Sequence, residues 1–304
     1  MNRLNEDLRA ALWQVRKGHH GSWAGLAAAL AVAAVAVLAA AAIIAPLRPL
    51  ASLVALGALI TMSFVIVMLQ VRSTGHVLDL SANLSLQSHL ARAGFSSTDF
   101  FVDGAAASPT LQLAIVKILA LCAPNSVLEL GSGQSTKVLA QYARSHPAAQ
   151  VLTIEEDEGW HRRLSSALDA PANHRYEACR LEAREVSLPN NRGTVATSWY
   201  RNGEALLAGR RFELIIVDGP TNSRRGDEFV RYSRSGFIPS LPSILAESFA
   251  VVIDDTDNFG YELTARSMQE AIAATGRAVH AFHLHGVKSQ TILCSPDWQF
   301  LRSV

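Results

Sequence analysis

Cysteine is scarce in this chain. Cys122, Cys179 and Cys294 are the only three in 304 residues, and they lie far apart. There is no CxxC pair and no Cys/His cluster at ligand spacing, which excludes a zinc module. An odd, sparse set also excludes a disulfide framework and fits buried structural thiols in a reducing compartment. Net charge is lacking too: Lys+Arg number 27 and Asp+Glu 26, for a formal +1. With no basic field and no run of like charges, nucleic acid is not an expected partner. No internal repeat appears, and no low-complexity tract beyond one alanine-rich stretch.

The next absence is local. Ser22 to Leu47 contains no charged residue, and neither does Pro49 to Val71. These runs are 26 and 23 residues long, and about 20 suffice to cross a bilayer core. The connector Ala45-Pro46-Leu47-Arg48-Pro49 is tight and carries two prolines, so two transmembrane helices in a hairpin (23–72) are expected. A cleaved signal peptide has a shorter apolar run and no second one. A soluble buried hairpin seldom runs this long without charge. The first span is rich in alanine, and small faces allow close helix contact, so a homo-oligomer through the transmembrane helices is a further expectation. Arg3, Arg9, Arg16 and Lys17 precede the first span, Arg72 follows the second, and Arg48 alone lies between. The positive-inside rule then places both termini in the cytoplasm. Residues 1–22 place Leu4, Leu8, Leu12 and Val15 at helical spacing, either along the membrane surface or as a solvated helix. Residues 73–107 read as a linker helix, with leucines at 78, 80, 84, 86 and 90, and a loop.

Residues 108–304 form the soluble domain. A Ser-Pro start opens a helix over 108–124. The strands expected are 126–130, 150–157, 174–180, 212–220 and 248–258, with helices between them and a closing hairpin of "AVHAFHLHG" and "SQTILCS". Alternating strands and helices imply an α/β fold, a doubly wound, mostly parallel seven-stranded sheet with an antiparallel C-terminal hairpin.

In such sheets ligands sit at the carboxyl ends of the strands, at the topological switch point. Gly131 and Gly133 occupy the turn after the first strand, where glycine permits positive φ and close ligand approach. A dinucleotide site wants a third glycine or alanine, and Thr136 stands there instead, so the GxGxxG spacing is broken. Glu155 ends the second apolar strand, 24 residues beyond Gly131, well placed to accept ribose hydroxyl protons. Its neighbours Glu156, Asp157 and Glu158 fit solvated surface acids.

"VLELGSGQST", "TIEEDEGW", "FELIIVDGP" and "VVIDDT", in this order, resemble the class I S-adenosylmethionine-dependent methyltransferases, a Rossmann-like family, and bacterial members in particular. The resemblance spans about residues 105–295, and "SWYR" (198–201) adds to it. It implies S-adenosylmethionine as cofactor. Glu129, Gly131 and Gly133 would line its methionine and ribose parts, Ser135 and Thr136 would start the following helix, and Glu155 would hold the ribose hydroxyls. Asp218 would face the sulfonium and the acceptor. Adenine contacts are expected around Cys179 to Glu182. The whole chain then reads as an integral protein of a bacterial inner membrane with a cytoplasmic catalytic domain.

Methyl transfer requires an aligned acceptor and, for a hydroxyl, a group to take its proton. Asp218 and Asp255 are the catalytic candidates. Asp218, Asp254 or Asp255, and Asn258 also make an oxygen-rich set of the kind that holds Mg2+. Against that, Asp255 and Thr256 read equally as a cap on the next helix. His283 and His285 share one strand face, as an acid–base pair or as plain edge residues. Arg224, Arg225, Arg231 and Arg234 lie in the charged stretch 222–234. That stretch is expected to overhang the acceptor, favouring an anionic or lipid-linked molecule, or else to be a solvated loop near lipid headgroups. Two alternatives remain open: a non-catalytic methyltransferase-fold membrane scaffold, and another nucleotide-dependent enzyme on the same fold.

Overall fold

The computed structural model describes residues 48–92, 94, 107–190, 192–221, 224–225, 228–229 and 232–303. The chain divides into two compact units, Met1–Val77 and Leu78–Val304. The first predicted transmembrane span lies outside the described residues. The second belongs to one long helix, α1 (Arg48–Arg92). A hairpin of two spans is therefore not what the described residues show, and the expected boundary between span and linker at 72–73 is no break. The helix runs on because nothing between Val71 and Leu90 stops it: no proline, and Ser and Thr whose hydroxyls bond back to carbonyls one turn earlier, such as Thr74 to Gln70.

Within the second unit, α1 buries Ala82, Leu86 and Leu90, spaced four apart on one face. Leu80 and Leu84 lie off that face and are exposed, and Leu78, one turn before Ala82, is exposed as well. Asp79 fastens the buried face. Its Oδ1 accepts from Thr110 at 2.5 Å, and its Oδ2 accepts from the Val287 amide at 3.0 Å.

The soluble unit follows in the order α2 (Pro109–Cys122), β1 (Ser126–Leu130), α3 (Gln134–Ser145), β2 (Gln150–Glu155), α4 (Glu158–Ala167), β3 (His174–Ala178), β4 (Leu181–Ser187), β5 (Thr194–Tyr200), α5 (Gly203–Leu207) and β6 (Phe212–Val217). A two-residue ribbon, β7 (Arg224–Arg225) and β8 (Glu228–Phe229), precedes a 3-10 turn, Ser233–Phe237. Then come α6 (Leu241–Ile244), β9 (Leu245–Ile253), α7 (Phe259–Ala273), β10 (His280–Leu284) and β11 (Gln290–Cys294). Ser108 caps α2 by accepting from the Leu111 amide, with Pro109 at the first helical position.

Seven strands form one sheet in the order β10-β11-β9-β6-β1-β2-β3. β11 pairs antiparallel with both neighbours, and the other pairings are parallel. The mixed α/β sheet and its terminal antiparallel member agree with the sequence expectation. β1 and β6 are wholly or almost wholly buried on both faces, as strands covered by helices on both sides must be. The chain moves outward from β1 through β2 to β3, then returns to the other side of β1 at β6. The switch point therefore falls between β1 and β6.

The hairpin β4–β5 was not expected. It forms a separate two-stranded sheet. Trp199 and Tyr200 at its end are buried, with Trp199 stacked on Phe237 at 5.4 Å. The "SWYR" stretch is thus the packing core that holds the 3-10 turn in place. All three cysteines are free, Cys179 and Cys294 buried and Cys122 partly so. Burial pushes each thiol up, Cys122 and Cys294 to about 11, which keeps them protonated and inert.

Candidate functional site

Two loops meet at the switch point. Gly131 has φ +82, and a Cβ built there would lie 2.6 Å from the amide nitrogen of Gly219. The reverse holds for Gly219, whose Cβ would lie 2.6 Å from the Gly131 Cα. Both must be glycine, because the backbone after β1 touches the backbone after β6. Gly133 differs. Its backbone is extended at φ −175, and a Cβ there meets nothing within 4 Å. Open space lies in front of it.

Thr136, which breaks the dinucleotide spacing, has a definite task. Its hydroxyl accepts from the Gly133 amide at 2.8 Å and donates to Glu129 Oε2 at 2.8 Å. That closes the turn onto the acid at the end of β1. Glu129 is fully buried. Thr153 Oγ1 also donates to its Oε2, at 2.9 Å. Its Oε1 takes no well-formed hydrogen bond among the described residues. Burial pushes Glu129 up to about 7, against the pull of the Ser135, Thr136 and Thr153 hydroxyls. Thr153 has one proton and gives it to Glu129, so His174 Nε2, 2.9 Å away, must donate to Thr153. Burial drives His174 down to about 4, keeping this ring neutral.

Glu155 sits at the end of β2, buried, as the sequence placed it. Its Oε2 accepts from the Ser132 amide at 2.8 Å and the Ser132 hydroxyl at 2.5 Å. Its Oε1 accepts from the Asp157 amide at 2.8 Å. The Tyr176 hydroxyl donates in turn to Ser132 Oγ at 2.7 Å. A carboxylate has about four acceptor positions, so one stays open on Oε1. Burial and the neighbouring Glu156 raise its pKa. Trp160 closes the rim, donating from its indole to the Ser132 carbonyl at 3.0 Å. The Cys179 amide bonds the Glu155 carbonyl at 2.7 Å, which brings the region expected to meet adenine beside this acid.

The three acids after Glu155 are not merely solvated. Glu156 Oε1 accepts from the amide and hydroxyl of Thr221, both at 2.9 Å, tying the loop after β6 to the loop after β2. Asp157 caps α4 by accepting from the Trp160 amide. Glu158 pairs with Arg180.

The carboxyl ends of β6 and β9 carry the second group. Asp218, Asp254 and Asp255 each offer an oxygen, and these lie within 4.8 Å of one another. Arg234 enters this cluster and is almost fully buried. It donates to the carbonyls of Asp254 (2.5 Å), Asp218 (2.8 Å) and Val217 (3.3 Å), and to Asp218 Oδ1 (3.1 Å) and Asp255 Oδ2 (3.4 Å). Its guanidinium lies 4.1 Å over the Tyr261 ring, a desolvated cation–π contact. Lys288 adds its ammonium, 3.3 Å from Asp255 Oδ1 and 3.7 Å from Asp254 Oδ2. Gln290 Nε2 donates to Asp254 Oδ1 at 2.8 Å. Burial and the neighbouring carboxylates push Asp218 well above the usual carboxylate range, with Arg234 opposing them. Asp255 adopts φ 56, a left-handed conformation uncommon outside glycine.

These contacts correct three expectations. Arg234 does not overhang the site; it clamps the ends of two strands from inside, because its guanidinium reaches the carbonyls of Asp218 and Asp254 just past β6 and β9, together with that of Val217, which the Asp254 amide also bonds. Arg231 lies outside the described residues. Asn258, offered as a metal ligand, spends its side-chain oxygen on the Gly260 amide as the N-cap of α7. Neither Asp255 nor Thr256 is that cap: Thr256 bonds the Ser289 carbonyl and accepts from Thr291. Magnesium therefore does not fit the set as built, since one proposed ligand is spent and two cationic side chains already pair with the carboxylates. His283 bonds Thr291 Oγ1 at 2.9 Å on the edge strand β10, and Thr291 in turn donates to Thr256 beside Asp255.

No protein-family model matches the sequence, and no curated protein matches it. Solved structures do resemble the fold. An O-methyltransferase from Bacillus cereus, in complex with SAH, is 15% identical at TM-score 0.45 and covers 73% of this chain and 99% of its own. The O-methyltransferase TomG from Streptomyces achromogenes, involved in tomaymycin synthesis and in complex with SAM, is 13% identical at TM-score 0.41. It covers 74% of this chain and 98% of its own. The SAH-bound methyltransferase PaMTH1 from Podospora anserina is 12% identical at TM-score 0.41, with 68% and 86% covered. Values this low assign neither activity nor substrate to this chain.

Proposed function

We infer that the soluble unit is an S-adenosylmethionine-dependent methyltransferase. The observation that carries this is the β1–β2 corner. There a buried Glu155 is locked to the glycine turn with one acceptor position open, beside a Gly133 that faces free space. The orphaned Glu129 Oε1 supplies a second buried acceptor at the same turn. These residues fit the cofactor: Glu155 for a ribose hydroxyl, Glu129 for the cationic amino-acid end, and Gly131 and Gly133 for close backbone approach, with Ser135 and Thr136 holding the helix start. When bound, the cofactor supplies a methyl group activated by its sulfonium. Asp218, whose Oδ2 accepts no hydrogen bond among the described residues, takes the proton from an acceptor hydroxyl. Its raised proton affinity suits it to that task. Asp255, held by Arg234 and Lys288, steadies the charge around it.

The acceptor is a small molecule, a glycan or a lipid-linked hydroxyl compound. Lipid linkage is favoured by α1, whose most apolar 18-residue window has mean hydropathy 2.5 and is entirely unburied. On this reading the protein is membrane-anchored, with its catalytic unit and both termini in the cytoplasm of a bacterium and self-association through the apolar helices.

Calorimetry of the full-length chain with S-adenosylmethionine and S-adenosylhomocysteine tests the proposal. Wild type binds both, and Glu155→Ala weakens both at least ~30-fold, the loss of a charge-assisted hydrogen bond. A folded wild type that binds neither overturns the reading and leaves the scaffold alternative.

A further inference from the structure

The proposed methyl transfer makes no direct use of Lys288, yet Lys288 reaches the acid cluster from the turn between β10 and β11. Among the described residues, Arg234 and Lys288 both pair with carboxylates of this cluster. The two cations are not equivalent. Arg234 is fixed by three carbonyls, two carboxylates and an aromatic face. Removing it would take a donor from the Asp218 and Asp254 carbonyls and the nearest cation from Asp218 Oδ1. The Lys288 ammonium is held through the two carboxylates, and its side chain keeps 22% exposure. Asp254 Oδ2 is fully buried and accepts no hydrogen bond. Lys288 is the ion pair the structure provides for it.

We propose that Lys288 is a tethered cation occupying the place of a divalent ion, so that the triad Asp218, Asp254 and Asp255 works without metal. Oxygens within 4.8 Å of one another match the hard, carboxylate-rich donor set that Mg2+, Mn2+ and Ca2+ take. Without the ammonium, Asp254 Oδ2 and Asp255 Oδ1 lose the cation held at both, which is the place a divalent ion would take. Lys288 is a positioning residue: it acts on the proposed proton acceptor Asp218 through Asp254 and Asp255. The inference deepens the methyltransferase reading, but its test needs no acceptor and no cofactor, so the two can fail separately.

The test uses the full-length chain and Lys288→Met, with Mn2+ binding read from the loss of the free-ion electron paramagnetic resonance signal. Wild type retains no Mn2+ at submillimolar concentration, and Lys288→Met retains one per chain. In chelator the variant melts roughly 10 °C below wild type, the consequence of an uncompensated buried carboxylate. Mn2+ or Mg2+ restores most of that loss. Lys288→Arg behaves as wild type, and Lys288→Met combined with Asp254→Asn binds no ion. Stoichiometric Mn2+ on wild type overturns the proposal, as does a folded Lys288→Met that takes none. Should Lys288→Met fail to fold in chelator and metal alike, Lys288→Gln leaves a hydrogen-bond donor at the carboxylates and is judged by the same two results.

Discussion

Glu129 and His174 lie on one hydrogen-bonded chain through Thr153, and their pKa values are displaced in opposite directions. Glu129 rises from 4.5 to about 7, and His174 falls from 6.5 to about 4. Between these limits folded Glu129 binds more proton than the unfolded chain does, so its contribution to stability is lost as pH rises from 4.5 to 7. Folded His174 binds less, so its contribution is gained as pH rises from 4 to 6.5. Each swing is about 3 kcal/mol, and in wild type they nearly cancel. Single substitutions separate them. Denaturant melts of Glu129→Gln show stability rising relative to wild type from pH 4.5 to 7, and His174→Gln shows it falling from pH 4 to 6.5. Identical pH profiles for all three proteins would remove the buried chain from the account. Glu129 was singled out in the sequence only through the resemblance of "VLELGSGQST" to a known family. Thr153 and His174 were not singled out, although they too are polar residues inside strands, because their role exists only across β1, β2 and β3 once the strands pair. Ser132 was hidden for the same reason. Ser132→Ala frees one position on Glu155 Oε2, so cofactor affinity stays within about threefold of wild type or tightens. A loss matching that of Glu155→Ala in the same calorimetry would mean the hydroxyl itself meets the ligand.

At the scale of elements, the glycine turn makes a contrast that composition alone does not show. Gly131→Ala forces a Cβ into the backbone of Gly219 at a positive φ, costing about 2–4 kcal/mol. Gly133→Ala places its Cβ in open space on extended backbone. It keeps the wild-type melting temperature while losing S-adenosylmethionine affinity by about tenfold or more, because the methyl fills the cofactor's approach. Melting and calorimetry on the two variants check this; a Gly133→Ala protein that binds normally would place the cofactor elsewhere. The seven sheet strands were readable as short apolar runs bounded by turns. β4 and β5 were not, since "LEAREVS" is charged and mostly exposed and "TVATSWY" is only half apolar and half exposed. Their signal was the turn between them, "LPNNRG", with Asn190 at φ 56 and Gly193 at φ +91. Arg234 was misread because a run of arginines looks solvated, and the carbonyls, carboxylates and aromatic ring that bury one of them come together only in the fold.

For the whole molecule, the largest departure from the sequence reading is α1. The sequence reading divided it into a span and an amphipathic linker, but helix continuation depends on the absence of a strong breaker, and Ser73–His76 holds no proline and a single glycine, Gly75, through which the helix runs. Leu53, Leu56, Ile60, Phe64, Ile66 and Val67 are all exposed by half or nearly so or more, a continuous apolar surface that water does not tolerate at this length. On the membrane-anchored reading proposed above, a bilayer covers this surface. The full-length chain is therefore expected to sediment with membranes and to resist alkaline carbonate extraction. Phe64→Arg together with Val67→Arg places two charges near the middle of the apolar run, each costing about 2.5–3.5 kcal/mol on insertion. The double variant moves to the soluble fraction while its calorimetric response to S-adenosylmethionine stays at the wild-type level, since the cofactor residues all lie in the unit Leu78–Val304. Release of the wild-type chain by carbonate would assign the apolar face of α1 to a protein partner or a second copy instead of lipid.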